Sequence, residues 1–127
     1  MLIDFNSMEE ACIENMNGGD GQVSARMFAG EGFRAAYCRI RPGSSIGKHL
    51  QKDSIDINFV VSGRGVAVCD GKEEPLVPGT CHICPSGSEH SIRNIGDEDL
   101  VIMTFVQYFV KRYSSQGSSS PPRCRLL

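Results

Sequence analysis

The three histidines of this 127-residue chain, His49, His82 and His90, are its strongest candidates for chemistry. Gln51 stands two residues after His49, and residues two apart on a β-strand share a face, so both side chains can approach one point. A carboxylate, Asp56, follows five residues later. Imidazole nitrogens combined with carboxylate and amide oxygens suit Mn, Fe, Ni, Zn or Co. These residue types therefore indicate a site for one divalent transition-metal ion.

Two glycine-punctuated segments contain these residues. Residues 43–63 read GSSIGKHLQKDSIDINFVVSG, and residues 79–94 read GTCHICPSGSEHSIRN. They resemble the two motifs of the cupin family, G-x5-H-x-H-x(3,4)-E-x6-G and G-x5-P-x-G-x2-H-x3-N. Gln51 replaces the second histidine of the first motif, and Asp56 replaces its glutamate. The resemblance covers about residues 33–109 and identifies the chain as a small single-domain cupin of the RmlC-like type.

The resemblance implies an all-β fold, a double-stranded β-helix or cupin jelly-roll barrel. It also implies that His49, Gln51, Asp56 and His90 are the metal ligands. The two histidines and Asp56 alone would form a 2-His-1-carboxylate group, which leaves positions open for a substrate or dioxygen. The alternative is a cupin that has lost its metal and keeps both histidines as hydrogen-bonded pocket residues.

The strand that contains Asp56 predicts a polar pocket. Asp56 and Asn58 lie on one face of this strand, and Ile57 and Phe59 lie on the other. A half-buried strand usually turns its apolar face inward. The cupin resemblance instead places Asp56 inside, so Asn58 is predicted to line the pocket.

Three further residues are candidates for substrate contact. His82 precedes the Pro85 turn and is either an acid/base group of the pocket or a buried histidine with a backbone partner. Tyr37 and Arg39 share a strand face. If that face is inward, Tyr37 and Arg39 bind a substrate carboxylate, and Tyr37 is the alternative to His82 as the proton carrier. Otherwise both residues lie on an exposed edge.

Composition excludes several classes of protein. The net charge is -2 and basic residues are scattered, so a nucleic-acid partner is not expected. The acidic N-terminus and the absence of a long apolar run favour a cytoplasmic protein without a membrane partner. The six cysteines show no paired framework, and Cys81-x-x-Cys84 is interpreted as part of a buried strand rather than as half a zinc site.

Turn signals about every ten residues predict short strands. The predicted strands cover residues 22–28, 33–41, 56–62, 65–70, 72–76, 80–84, 90–94 and 99–109. The segment 7–16 is predicted to form a short N-terminal helix capped by Ser7. Asp70-Gly71 is predicted to form a hairpin turn.

The domain prediction is a single cupin domain over residues 1–113, followed by a flexible Ser/Pro-rich tail over residues 114–127. The last strand is apolar on both faces from Leu100 to Val106, and Ile57, Phe59 and Val61 form an apolar face on another strand. One small barrel cannot cover all of these faces. A homodimer is therefore expected.

Two functions stay open at this level. The first is metal-dependent Lewis-acid chemistry on a small oxygenated substrate such as a sugar, sugar acid or keto acid, by an isomerase, decarboxylase, lyase or dioxygenase. The second is a metal-free cupin that binds a small molecule without catalysis. The fold alone does not choose between them.

Overall fold

The computed structural model describes residues 1–109, so the predicted tail at 114–127 lies outside the described residues. Two antiparallel sheets face each other. The strands of this part of the chain are β1 (Ala11–Glu14), β2 (Gln22–Ala29), β3 (Phe33–Ile40), β4 (Ser45–Leu50), β5 (Ser54–Ser62), β6 (Gly65–Cys69), β7 (Lys72–Leu76), β8 (Cys81–Cys84), β9 (Glu89–Asn94) and β10 (Leu100–Tyr108). The all-β jelly-roll barrel predicted from the sequence is confirmed.

The two sheets differ in size. One has six strands in the order β1-β2-β3-β10-β5-β8, and the other has four in the order β4-β9-β6-β7. Small and branched apolar side chains from the facing surfaces fill the space between the sheets. The cluster contains Val23, Ala25, Ala36, Cys38, Ile40, Ile46, Val60, Ala67, Leu76, Ile92, Leu100 and Ile102.

The predicted helix over residues 7–16 is wrong. Single 3-10 turns occupy Phe5–Ser7 and Met16–Gly18, and the intervening strand β1 pairs with β2. Strand β1 lies at the edge of the six-stranded sheet, and its pairing with β2 engages the backbone groups along one side of Ala11–Glu14. Such tertiary context overrides helix propensity. No helix within residues 1–109 has the length and apolar character needed to cross a membrane.

The predicted Asp70-Gly71 hairpin is confirmed. It joins β6 to β7, and both residues have positive φ angles, 49° and 80°. A two-residue turn of this kind matches the right-handed twist of the flanking strands. The turn holds β7 beside β6, and β7 contributes one residue to the site described below.

Candidate metal centre

The pairing of β4 with β9 brings His49 and His90 together. The two residues are direct partners in the antiparallel register, next to an irregularity that follows Ile46. Their Nε2 atoms lie 3.0 Å apart, and Asp56 on β5 of the opposite sheet places Oδ2 3.3 Å from Nε2 of His90. Each of these three residues offers one ligand atom, and the three atoms lie within 4.8 Å of one another.

The second nitrogen of His49 is already engaged. Its Nδ1 lies 2.8 Å from the carbonyl oxygen of Gly47 and 3.3 Å from the side-chain amide nitrogen of Asn17. The carbonyl oxygen only accepts, so the shorter contact assigns the proton to Nδ1. The lone pair of His49 is therefore on Nε2, the atom that faces His90. Gly47 also allows a close approach of the chain, because a Cβ atom there would lie 2.2 Å from the carbonyl oxygen of Asn17.

His90 is held in the same way by a residue of β8. Its Nδ1 lies 2.9 Å from Nε2 of His82, whose Nδ1 in turn lies 2.7 Å from a carboxylate oxygen of Glu74 on β7. The Glu74 carboxylate accepts from His82, so Nε2 of a neutral His82 carries the lone pair and accepts from His90. This assignment also leaves the lone pair of His90 on Nε2.

The donor atoms fit a divalent cation. Two nitrogen lone pairs and a carboxylate that face one another repel unless a proton or a cation lies between them. Asp56 is 8% exposed, and its second oxygen, Oδ1, is buried without a hydrogen-bond partner among the described residues. A buried carboxylate without full pairing is costly, and a coordinated metal removes that cost. Two imidazoles with a carboxylate suit Mn, Fe, Ni, Zn or Co.

Gln51 directly follows β4 and is buried. Its amide nitrogen donates to Oγ of Ser54 over 2.6 Å, while the Ser54 hydroxyl donates to the carbonyl oxygen of Lys52. The Ser54 hydroxyl donates its only hydrogen to Lys52, so toward Gln51 it must accept. The atom of Gln51 that contacts Ser54 is therefore the amide nitrogen. The amide oxygen of Gln51 is therefore the atom left for another partner.

Asn58 lies on the same face of β5 as Asp56 and is 1% exposed. Its Oδ1 accepts a hydrogen bond from Thr104 over 2.8 Å, but its Nδ2 has no partner within residues 1–109. In the sheet register Asn58 is opposite His82. A buried amide donor without a partner is uncommon in a folded protein and is available to a ligand or a water molecule.

Thiols also flank the cluster. Cys84 is opposite Asp56 in one sheet, and Cys69 is opposite His90 in the other. Burial raises the pKa of Cys84 to about 12 and also raises the pKa of Cys69. Neither sulfur belongs to the group of ligand atoms that converge within 4.8 Å of one another in the described residues. Cys81 is exposed and Cys84 is buried on the opposite face of β8, so the CxxC pair does not share a site.

Tyr37 and Arg39 lie away from the cluster. Their neighbour Cys38 belongs to the core, and side chains alternate along a strand, so both residues face outward from the barrel. With Glu10 they line a separate surface cavity of about 390 Å³. Arg39 pairs there with Glu10 and with Asp99 at 3.0 and 3.2 Å.

Sequence reasoning missed Glu74 and Ser54. Neither belongs to a named position of the two motifs, and Glu74 reaches the site only through the pairing of β7 with β6. Glu74 lies two residues before apolar Leu76 and so shares its face of β7, which marks that face as partly buried. It does not show that Glu74 meets a histidine of the other sheet.

The fold and the site define a class of protein. Residues 36–106 match the model of the cupin domain family. The chain belongs to the cupin family. It is similar to a protein of Thermotoga maritima described as an oxalate-binding protein, with 30% identity over 112 residues, 84% of this chain and 93% of that one.

Solved structures extend the likeness. A Thermotoga maritima protein described as a predicted oxalate decarboxylase superposes with a TM-score of 0.80 at 29% identity, covering 85% of this chain and 99% of that chain. The cupin domain of Schizosaccharomyces pombe Cnp3 gives a TM-score of 0.69 at 16% identity, with 83% and 72% of the two chains covered. The second likeness shows the fold alone.

Proposed function

We propose that this protein binds one divalent transition-metal ion at His49, Asp56 and His90, and that the ion in turn binds a small oxygenated dianion of the oxalate class. One observation carries the proposal. Two Nε2 lone pairs converge on a buried carboxylate whose Oδ1 has no partner among the described residues. The ion is Mn, Fe, Ni, Zn or Co by donor type.

Gln51 is the proposed fourth ligand. Ser54 engages its amide nitrogen, which leaves the neutral amide oxygen as the available donor. With Gln51 the set has two nitrogen and two oxygen donors, and positions on the ion stay open for a chelating ligand. Gln51 and Asp56 bind a metal less strongly than histidine and glutamate at these positions would, so moderate affinity is expected.

Charge favours metal binding over the alternative, a metal-free module for the same ligands. Within residues 1–109, no lysine or arginine pairs or hydrogen-bonds with the side chains of His49, Asp56, His82 or His90. A dianion that entered the cluster alone would meet the Asp56 carboxylate without a compensating cation. A bound divalent ion reverses the sign of that interaction.

The ligand class is supported by the relatives and by the site. Oxalate stands in the description of the Thermotoga maritima relative and in that of the similar Thermotoga maritima structure. A 1,2-dicarboxylate offers two oxygens to one ion and so matches a centre with open positions. The unpartnered Nδ2 of Asn58 is the proposed hydrogen-bond donor to an oxygen of the ligand or to a water molecule beside it.

Ligand binding is the activity that the described residues support best. A metal in this site would act as a Lewis acid on a sugar acid, keto acid or dicarboxylate. Of the two predicted proton carriers, His82 has both ring nitrogens engaged and Tyr37 faces outward. Decarboxylation, isomerisation, elimination and dioxygenation therefore stay predictions. An assay for ligand binding comes first, and an assay for reaction products follows it.

The test is calorimetric titration of oxalate into three samples: metal-loaded protein, chelator-treated protein, and metal-loaded Asn58→Ala. Oxalate is expected to bind the metal-loaded form only, with weaker binding by the variant. Acetate, which lacks the second carboxylate, is the control ligand. Equal oxalate binding with and without metal would overturn the proposal in favour of the metal-free module. Formate formation from oxalate, followed by NMR, would add decarboxylation to the binding function.

We also infer a homodimer formed through the outer face of the six-stranded sheet. Ile83, Ile57 and Phe105 are aligned in register across β8, β5 and β10, and Phe59 lies in the next row. Phe59, Ile83 and Phe105 are each more than 40% exposed. A second copy of this sheet would cover them by face-to-face packing.

Light scattering tests the dimer. The parent protein is expected at twice the monomer mass, and Phe105→Lys is expected to shift it to the monomer. Val77→Lys is the matched control, because Val77 is similarly exposed but lies outside this face. A monomeric parent at micromolar concentration would contradict the inference.

A further inference from the structure

The contacts of His90 define a chain of hydrogen bonds that leads away from the metal centre. It runs from Nδ1 of His90 to Nε2 of His82 over 2.9 Å, and from Nδ1 of His82 to Glu74 over 2.7 Å. His82 and His90 are each 1% exposed, whereas the side chain of Glu74 is 38% exposed. The chain therefore connects a buried ligand to a carboxylate at the surface.

We propose that His82 and Glu74 are positioning residues that hold His90 in the tautomer required for metal binding. This proposal rests on the proposed function, because it concerns the same centre. Neutral imidazole has one protonated nitrogen and one lone pair, and either nitrogen can carry the proton. Only a proton on Nδ1 leaves Nε2 of His90, the atom that faces His49 and Asp56, free to bind an ion.

The direction of the chain follows from its outer end. A carboxylate only accepts, so Glu74 requires the proton of His82 on Nδ1. In neutral His82, Nε2 is then an acceptor, which requires the proton of His90 on Nδ1. Partners of this kind around a metal-bound histidine fix its ring orientation and its tautomer.

The two ligand histidines are positioned differently. His49 is held by the backbone carbonyl of Gly47, which no side-chain substitution removes. His90 depends on two side chains from β8 and β7. Because Glu74 is partly exposed, solvent screens its charge, and its main effect is expected through the hydrogen bond to His82. Substitutions of His82 and Glu74 can therefore distinguish the effect of the hydrogen bond on metal affinity from the effect of the Glu74 charge.

Three variants make this separation. His82→Leu removes the acceptor for His90 and is expected to weaken metal affinity about 10- to 100-fold, as partners of metal ligands generally do. His82→Gln keeps an acceptor and a donor on one side chain and is expected to restore most of that affinity. Glu74→Gln keeps an acceptor for His82 without the charge, but its amide can also donate, so it fixes the tautomer less firmly and is expected to lower metal affinity by less than His82→Leu does. Glu73→Gln on the same strand, exposed to solvent, is the control.

The experiment has two readouts. Long-range proton–nitrogen NMR of the metal-free protein reports which nitrogen of His90 is protonated, and competition against a chromophoric chelator gives the Co(II) dissociation constant. The parent is expected to show His90 protonated on Nδ1, and His82→Leu is expected to show a mixture of tautomers. If His82→Leu is unfolded by circular dichroism, Glu74→Leu serves instead.

The outcomes distinguish this proposal from the proposed function. Unchanged tautomer and unchanged Co(II) affinity in a folded His82→Leu variant would overturn the positioning role while the metal site stood. Failure of the parent to bind Co(II), with His90 still protonated on Nδ1, would overturn the metal function but confirm the hydrogen-bonded chain. An affinity loss in His82→Gln as large as that in His82→Leu would also contradict the positioning role.

Discussion

Two polar clusters occupy opposite faces of the barrel wall, and they differ in how their charges are balanced. The inner cluster contains His49, Asp56 and His90. The outer ion-pair network contains Glu10, Arg26, Arg39, Arg41 and Asp99. In the outer network, carboxylates and guanidinium groups neutralise one another. In the inner cluster, no cationic side chain within residues 1–109 pairs with Asp56 except an imidazole that must be neutral to bind metal.

The difference in charge balance distinguishes a cluster where a ligand is expected from a network of surface ion pairs. Asp56 leaves Oδ1 without a hydrogen-bond partner among the described residues, whereas the hydrogen bond from Arg39 lowers the pKa of Glu10. In the outer network Nε of Arg26 also lacks a hydrogen bond, but it lies 4.0 Å from the Glu10 carboxylate, so its charge is balanced. Residues whose charges and hydrogen-bonding atoms are already paired with neighbours have few free groups for a ligand. Buried residues with an unpaired charge or an unpartnered hydrogen-bonding atom indicate where a ligand is expected.

The largest expected effect is a separation of metal affinity from stability at Asp56. Asp56→Asn removes the charged ligand and is expected to weaken Co(II) binding by more than about 100-fold, beyond the loss typical of indirect partners. It also removes a buried, incompletely paired carboxylate, so the metal-free protein is expected to be as stable as the parent or more stable. Chelator competition and urea unfolding in chelator measure the two quantities. A clear loss of metal-free stability with unchanged Co(II) binding would show that Asp56 is a structural residue.

The next effect in size strengthens the centre. Gln51→His and Asp56→Glu restore the ligand types of the cupin motif, and each is expected to raise metal affinity, by about tenfold for Gln51→His because imidazole replaces a neutral amide. The matched control is Lys52→His, because Lys52 is exposed and lies next to Gln51 in the sequence. If neither restoring substitution alters metal uptake, the assignment of Gln51 and Asp56 as ligands is incorrect.

The smallest effect belongs to the outer network. Glu10→Gln is expected to cost about 1 kcal/mol or less, because pairs this close to solvent are screened. The lowered pKa of Glu10 means that this contribution is present above its ordinary value of 4.5 and is lost as the pH falls through the value in the folded state. Urea unfolding at neutral and acidic pH measures it. A metal affinity that changed with Glu10→Gln would break the distinction between the two clusters.

Much of this account was predictable from sequence. The spacing of glycines, His49 and His90 predicted the fold, and Asp70-Gly71 predicted its hairpin, because turn geometry is local. The strand β1 was not predictable, because its structure comes from pairing with β2. The outward facing of Arg39 and the contact between Glu74 and His82 were equally hidden, since each depends on the register of strands distant in sequence.

The most direct test of the metal centre is elemental analysis of the tag-free protein after reconstitution with Mn, Fe, Ni, Zn or Co. His49→Ala, His90→Ala and Arg39→Ala are measured beside the parent. The account predicts close to one metal ion per chain in the parent and in Arg39→Ala, and none in the two histidine variants. A parent without metal, or histidine variants that retain as much metal as the parent, would contradict it.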